Sequence, residues 1–484
     1  MAGEPGTVNA MTSSAAIFDL DRTLLAGASG PVISAAMRDV GVLSSGPVPG
    51  ESALFKLFNL VGENRLSMRM AREGARFAKG WERDAVREAG RRAAPILAAE
   101  VQPYALATIA EHRDAGRPVV MATTTPFDVI EPLAEILGMD GVVATRYGVQ
   151  KDGTYDGTID GEFVWGPGKL RAVRSWAGAN GVVVSQSWAY SDSWYDLPLL
   201  DAAANPTAVN PDPRLRAMAV ALRWPITHFT APQGVPRFGG IEPQTVAIPF
   251  LRPELFPYAR FDIRGTDRIP ARGPAIIVAN HRSYFDPVAM ALTTAKAGRP
   301  VRSLGKKEVV DAPLVGALVR AAGVIRVDRA SGSDEPLRAA VTALRAGDMV
   351  SLMPQGTIPR GRAFFDPELK GRWGAARLAA LSGAPVIPVG IWGTEKVWPR
   401  SSRLPDVLNL TDPPDIRVRV GHAVDLDLID PDEDTRSIMA AIADLLPAEA
   451  RRQHDPSPEE LARTLPPGYE GDPDAELDRR PGTD

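Results

Sequence analysis

The 484-residue sequence predicts an α/β protein of two domains, the first with a helical cap inserted into it. Three observations carry this expectation. Short apolar runs alternate with stretches of helical spacing in each half of the chain. A proline-rich stretch without periodicity, over about 225–258, separates the halves and places a boundary near 235. The length is also about three times that of a typical domain, more than one core can hold.

In chain order, Ala15–Phe18 is an apolar run ending abruptly in Asp19, as a buried strand would. Residues of about 28–95 are Ala-, Arg- and Glu-rich amphipathic segments and form the inserted helical cap. Tyr104–Ala115 has helical spacing, Pro118–Ala122 reads as a strand, Gly168–Ala177 as a helix and Val182–Val184 as a further strand. After the boundary the alternation resumes with strand Ala275–Val278, helix Ala312–Ala322, strand Val324–Val327, helix Glu335–Ala346, strand Met349–Met353, helix Gly374–Leu381 and strand Val386–Ile391. Strands alternating with helices imply parallel sheets. The expected organisation is a flexible terminus over 1–13, a first domain over 14–235, a second over 236–450, and a poorly ordered tail over 451–484, where large apolar residues are few.

Composition narrows the function classes. Hydrophobic content of 44% with 24% charged residues is that of a soluble globular protein, and the absence of cysteine excludes disulfide frameworks, thiolate metal sites and cysteine nucleophiles. No run of eighteen apolar residues occurs, and the opening MAGEPGTVNAMTSS has no basic region followed by an apolar one, so neither a membrane span nor a signal peptide is expected. Charge is uneven along the chain. From Arg264 to Arg403 there are 22 Lys and Arg against 11 Asp and Glu, a local surplus of +11 in a chain whose net charge is −4. Such a surplus attracts nucleic acid, an anionic membrane surface or phosphorylated substrates. The motifs decide between these.

The first constellation is Asp19-Leu20-Asp21-Arg22-Thr23, two carboxylates at i and i+2 past the end of a strand, where ligands bind in open α/β sheets. A carboxylate nucleophile needs a neighbour that protonates the leaving oxygen and then activates water, and Asp21 stands where it can. Thr123 follows a strand, Lys169 opens a helix, and Asp192 and Asp196 follow a short strand. They supply a hydroxyl for a phosphate oxygen, a cation, and a carboxylate pair for Mg2+. Alone, each is as readily a turn, cap or solvated face. In this joint order they resemble the haloacid dehalogenase superfamily, in its phosphoserine-phosphatase-like branch, over roughly 14–225. The resemblance implies a Rossmann-like domain, Asp19 as nucleophile, Asp21 as acid and base, Thr123 and Lys169 as contacts to the phosphate monoester, and Mg2+ held by Asp19, Asp192 and the Asp21 carbonyl. TTTP and SDSWYD stand where true phosphoserine phosphatases are glycine-rich, so chemistry carries over better than substrate.

The second constellation opens with His281 at a strand end and Asp286 five residues later. A histidine deprotonates a hydroxyl near neutral pH, and a carboxylate on its other nitrogen fixes the tautomer. A surface histidine beside a helix cap is the bland alternative. Downstream stand Lys306-Lys307-Glu308, Gly323 to Arg329, Pro354-Gln355-Gly356-Thr357-Ile358-Pro359-Arg360 and Val386-Ile387-Pro388-Val389. With HxxxxD these blocks resemble the glycerolipid acyltransferases, in particular the lysophosphatidic acid acyltransferases, over about 255–430. The resemblance implies His281 and Asp286 as the base pair, an α/β acyltransferase domain, and Lys306, Arg329 and Arg360 as contacts to the acceptor phosphate, with Gln355, Gly356 and Thr357 in the same substrate-binding block. Its usual Pro-Glu-Gly-Thr-Arg is Pro-Gln-Gly-Thr-Ile here. The turn at Gly356 is a candidate source of N–H groups for an oxyanion.

Together these imply a bifunctional chain: acyl transfer from acyl-CoA to the hydroxyl of a lysophospholipid, joined to a Mg2+-dependent phosphatase-like domain acting through an aspartyl-phosphate. The rivals are a phosphomonoesterase whose second half only binds lipid, and an acyltransferase whose first half only regulates. The expected partners are the two substrates, a phosphate monoester and an anionic membrane surface, with no nucleic acid. The expected location is the cytoplasm, peripherally on the inner face of the cell membrane, with VAIPFLRPELFPY and, less so, APLVGALVRAAGVI as contact segments.

Overall fold

The structure is a computed structural model that describes residues 14–44, 65–232, 235–236, 241–313, 315–327 and 335–474. The chain divides into two compact units, Met1–Gln233 and Gly234–Asp484.

In the first unit seven strands form one sheet: β1 (Ala16–Phe18), β2 (Val119–Pro126), β3 (Gly141–Val149), β4 (Tyr155–Asp160), β5 (Trp188–Ser191), β6 (Asn205–Val209) and β7 (Ile226–Thr227). Their order is β4-β3-β2-β1-β5-β6-β7, parallel throughout except for the antiparallel pairing of β3 with β4. β1 is fully buried along its length, which is why it reads as an unbroken apolar run. It sits where strand order reverses, the crevice at which parallel sheets bind ligands. Among the described residues, three helices, Gly30–Asp39, Arg65–Phe77 and Arg83–Ala99, fall in the region expected to form the cap. The last packs on helix Phe127–Ile136 so closely that a Cβ on Gly90 would lie 2.6 Å from the Val129 carbonyl oxygen.

One expected strand is corrected. Val182–Val184 is not a strand; Val184 opens a 3-10 turn, and the strand is β5, Trp188–Ser191. Of the three valines Val182 and Val184 are buried, so the apolar signal reports burial without reporting conformation. The β3–β4 hairpin has weak alternation and was absent from the sequence expectation.

The second unit has β8 (Arg260–Arg264), β9 (Ala275–Ala279), β10 (Val301–Lys306), β11 (Ile325–Val327), β12 (Met349–Leu352), β13 (Val386–Trp392) and β14 (Asp415–Val420). The order is β11-β10-β12-β9-β13-β14-β8, with only β13 and β14 antiparallel. Alternate β9 side chains enter two cores. Ala275, Ile277 and Ala279 pack on the face that holds Ala289 and Leu292 of helix Asp286–Lys296; Ile276 and Val278 pack on the face of helices Glu335–Arg345, Gly374–Ser382 and Pro431–Asp444.

Within the tail expected to be poorly ordered, the described residues 451–474 are folded. Helix Pro458–Arg463 begins with a capping box between Ser457 and Glu460, buried Thr464 accepts the Gly361 N–H at 2.9 Å, and Arg362 pairs with Asp474 at 3.5 Å. Polar clamps, invisible to an apolar pattern, hold this segment.

Candidate functional sites

In the first unit, Asp19 follows β1, Thr123 lies near the end of β2, and Asp192 follows β5, so three adjacent parallel strands deliver them to one edge of the sheet. The turn after Asp19 is closed by the Leu25 N–H bonding the Leu20 carbonyl, and Arg22 takes a left-handed φ of 58° within it. That non-glycine conformation is held by Asn210 Nδ2 donating to the Arg22 carbonyl at 2.9 Å. Arg22 Nε pairs with Asp192 at 3.1 Å, and Asp21 Oδ1 accepts the Ser29 N–H at 2.5 Å. Thr123 is buried, and its Oγ1 accepts the Thr125 N–H at 3.2 Å.

Lys169 is fully buried and bridges two carboxylates, Asp19 at 2.8 Å and Asp196 at 2.6 Å. Asp196 Oδ2 also accepts the Ser191 hydroxyl at 2.7 Å. The carboxylate pair expected to hold Mg2+ therefore divides: Asp196 holds the lysine, while Asp192 remains beside the turn of Asp21. Burial lifts the Asp19 carboxyl to about 6 against the opposing pull of Lys169, and burial also raises Asp21.

The residues fit a divalent ion. Four carboxyl groups, those of Asp19, Asp21, Asp192 and Asp196, stand with two cations, Lys169 and Arg22, so acidic groups outnumber basic ones by two. Among the described residues no three His, Cys, Asp or Glu side chains form a metal cluster. Two carboxylates and a main-chain carbonyl are nonetheless the sparse oxygen set Mg2+ accepts, since it keeps several waters and leans on substrate phosphate.

The second site repeats the placement. His281 follows β9, Gln355 follows β12 and Thr394 follows β13, and these three strands are neighbours at the centre of their sheet. His281 Nδ1 lies 2.7 Å from Asp286 Oδ2. Asp286 is completely buried at the start of its helix, and the same oxygen accepts the N–H groups of Arg282 at 2.7 Å and Ser283 at 2.8 Å. Its Oδ1 accepts the Thr394 hydroxyl. Four donors thus fix the carboxylate, and with it the ring, whose side chain keeps 19% exposure. Behind it, Asn280 exchanges two hydrogen bonds with the Ile391 backbone at 2.8 Å each, locking β9 to β13.

The third block departs from expectation in two respects. The Gly356 N–H, a candidate oxyanion donor, is spent on the Met353 carbonyl at 2.8 Å. Arg360, expected at the acceptor phosphate, lies over the Tyr469 ring at 4.8 Å. Arg400 instead reaches the block, donating to the Ile358 carbonyl and approaching Thr357 Oγ1 at 3.5 Å. The Lys306 side chain and Arg329 lie outside the described residues.

Sequence reasoning missed Thr394, and it missed what Gln355 does: its Oε1 accepts the His281 N–H at 2.6 Å. A glutamate at 355 would offer the same acceptor, so the exchange of carboxylate for amide preserves this contact. Gln355→Glu is expected to leave the denaturation midpoint nearly unchanged. Gln355→Leu, which removes the acceptor of the part-buried His281 N–H, is expected to cost about 1 kcal/mol by urea unfolding.

Residues 16–201 match the family model described as haloacid dehalogenase-like hydrolase, and residues 260–392 match the one described as acyltransferase. A protein named for inhibition of morphological differentiation in Streptomyces azureus is 35% identical over 239 residues, 48% of this chain and 85% of that protein. A probable phosphatase of Mycobacterium tuberculosis is 33% identical over 230 residues, 47% of this chain and 79% of the other. The crystal structure of a 1-acyl-sn-glycerophosphate acyltransferase from Thermotoga maritima aligns over 42% of this chain and 78% of its own, with 20% identity and a TM-score of 0.32.

Proposed function

Because the chain belongs to the haloacid dehalogenase-like hydrolases and carries an acyltransferase domain in its second half, we propose that it is a bifunctional enzyme. Its second domain transfers an acyl group from acyl-CoA to a lysophospholipid, 1-acyl-glycerol-3-phosphate in the first instance, giving phosphatidic acid. Its first domain hydrolyses a phosphate monoester through an aspartyl-phosphate. The observation that carries the acyl-transfer reading is the His281–Asp286 pair at 2.7 Å, with the carboxylate held by backbone and hydroxyl donors.

Nδ1 is committed to Asp286, so Nε2 takes the proton of the acceptor hydroxyl as its oxygen attacks the thioester carbonyl. The tetrahedral intermediate collapses with cleavage of the C–S bond, and the CoA sulfur recovers that proton from the imidazolium. In the first domain, Asp19 attacks phosphorus while Asp21, whose burial favours the protonated carboxyl, delivers a proton to the leaving oxygen. Asp21 then draws a proton from the water that cleaves the phosphoaspartate, with Lys169 balancing charge on Asp19. Bound Mg2+ would be held by Asp19, Asp192 and the Asp21 carbonyl and would supply neutralisation of phosphate charge.

The membrane part of the proposal draws on two exposed apolar segments. Val246, Phe250 and Leu255 of VAIPFLRPELFPY face solvent, while Phe256 packs edge-on against Phe285, beside the His–Asp motif. Leu404, Leu408 and Leu410, in a loop whose Asp406 N–H bonds the Val397 carbonyl, are exposed as well. In APLVGALVRAAGVI, Leu318 is exposed and Ile325 is buried. Among the described residues no helix is long and apolar enough to cross a membrane.

The rival, a phosphomonoesterase with a lipid-binding second domain, draws on the spent Gly356 N–H and the stacked Arg360. Release of CoA thiol that depends on added lysophosphatidic acid separates the two, and its absence would favour the rival. EDTA is expected to stop phosphate release and leave thiol release intact, since a His–Asp base needs no metal. An EDTA-sensitive acyl transfer would contradict the division of labour.

A further inference from the structure

At the edge of the second sheet, away from the helix that Asp286 opens, lies a cavity of about 450 Å3. Its walls are the arginines 264, 268, 417 and 419, the Trp392 side chain, and Leu445, Leu446 and Pro447 at the end of helix Pro431–Asp444. Strand pairing explains the clustering: Trp392 faces Arg417 and Gly390 faces Arg419 across β13 and β14, while Arg419 faces Arg264 across β14 and β8. Gly390 lets the helix end close one side, since a Cβ there would lie 2.8 Å from the Leu445 Cβ.

Acidic neighbours do not cancel this charge. Asp262 takes Arg264 at 2.9 Å and Arg419 at 2.5 Å, Glu449 lies 3.6 Å from Arg417, and Asp444, which lines the cavity, lies 3.9 Å from Arg451. Arg268 donates to the Val420 carbonyl at 2.7 Å. Five arginines against three carboxylates leave +2. The helix C-terminus contributes roughly −0.5 of a charge, too little to reverse the sign. Together they ring a volume in the range of small-ligand sites.

We propose that this cavity binds an organic phosphate, with the phosphoryl group among Arg264, Arg417 and Arg419 and its apolar part against Trp392, Leu446 and Pro447. Guanidinium forks suit phosphate oxygens, and a site with one charged and one apolar wall selects an ester over the free anion. The ester could be carried on a nucleoside or on a glycerolipid, and the two sources are distinguished by probe. Trp392 also bears the Arg282 guanidinium at 4.1 Å, so the cavity shares a wall with the residue after His281.

The test is calorimetric titration of the full chain with adenosine 3′,5′-bisphosphate, with dioctanoyl phosphatidic acid below its aggregation concentration, and with inorganic phosphate. At least one ester is expected to bind tenfold or more tighter than inorganic phosphate, and Arg417→Glu to weaken it at least tenfold without shifting the melting temperature. The ester that responds identifies the source. Binding that Arg417→Glu leaves unchanged belongs to another site and overturns the proposal, as does failure of both esters to exceed inorganic phosphate. Arg264→Gln, at a residue 73% exposed, serves the same purpose if Arg417→Glu does not fold.

Discussion

Asp19→Asn is expected to lower phosphate release at least about a thousandfold while acyl transfer stays within about threefold. An amide cannot form the acyl-phosphate bond, so the covalent step is lost outright. The variant is well suited to isolate chemistry from folding. Burial already penalises the ionised Asp19, lifting it to about 6, so a neutral isostere removes a charge the site tolerates poorly. Lys169 keeps its 2.6 Å partner Asp196 and is not left unpaired in the interior. The two proposed activities fall in units with separate sheets and separate cores, and changes at independent sites add. Loss of both activities in a folded Asp19→Asn protein would defeat the two-site reading. Retention of phosphate release would remove Asp19 from the chemistry.

What the sequence discloses of these sites follows from where parallel sheets put them. Asp19 directly ends an apolar run and His281 follows one after the buried Asn280, because a central strand must be apolar on both faces and the polar residues just past its end stand at the binding crevice. Thr123 and Gln355 mark the neighbouring strands in the same way. The roles that did not show are set by tertiary contact. Asp192 and Asp196 look alike in DSWYD, yet one meets Arg22 and the other Lys169, and only the packing of helix Pro167–Ala179 decides between them. Thr394 carries no motif of its own and gains its place because β13 lies beside β9. The segment to 474 escaped notice since it is fastened by Ser457, Thr464 and Tyr469 rather than by an apolar stripe. Tyr469 also lies under Arg360, the residue to which the resemblance gave a phosphate role.

His281→Ala is expected to reduce kcat for acyl transfer by roughly two to four orders of magnitude and to leave the KM for lysophosphatidic acid nearly unchanged, because the missing interaction is with a proton in transit. Asp286→Asn makes the informative companion. The asparagine oxygen can keep the three contacts now made by Oδ2, and the Thr394 hydroxyl can turn from donor to acceptor for the new amide nitrogen, so the loop is preserved while the charge that stabilises an imidazolium is lost. Its kcat should therefore fall, but less far than that of His281→Ala. A purely structural histidine leads elsewhere. The ring retains 19% exposure, and its removal would then cost no more than about 1 kcal/mol of stability, the worth of one hydrogen bond, with turnover unaffected. The Asp286→Asn protein would likewise turn over as the wild type. The order wild type, Asp286→Asn, His281→Ala in kcat at constant KM is the signature of an oriented general base. A folded His281→Ala protein with wild-type thiol release would exclude it and remove His281 from the chemistry of acyl transfer.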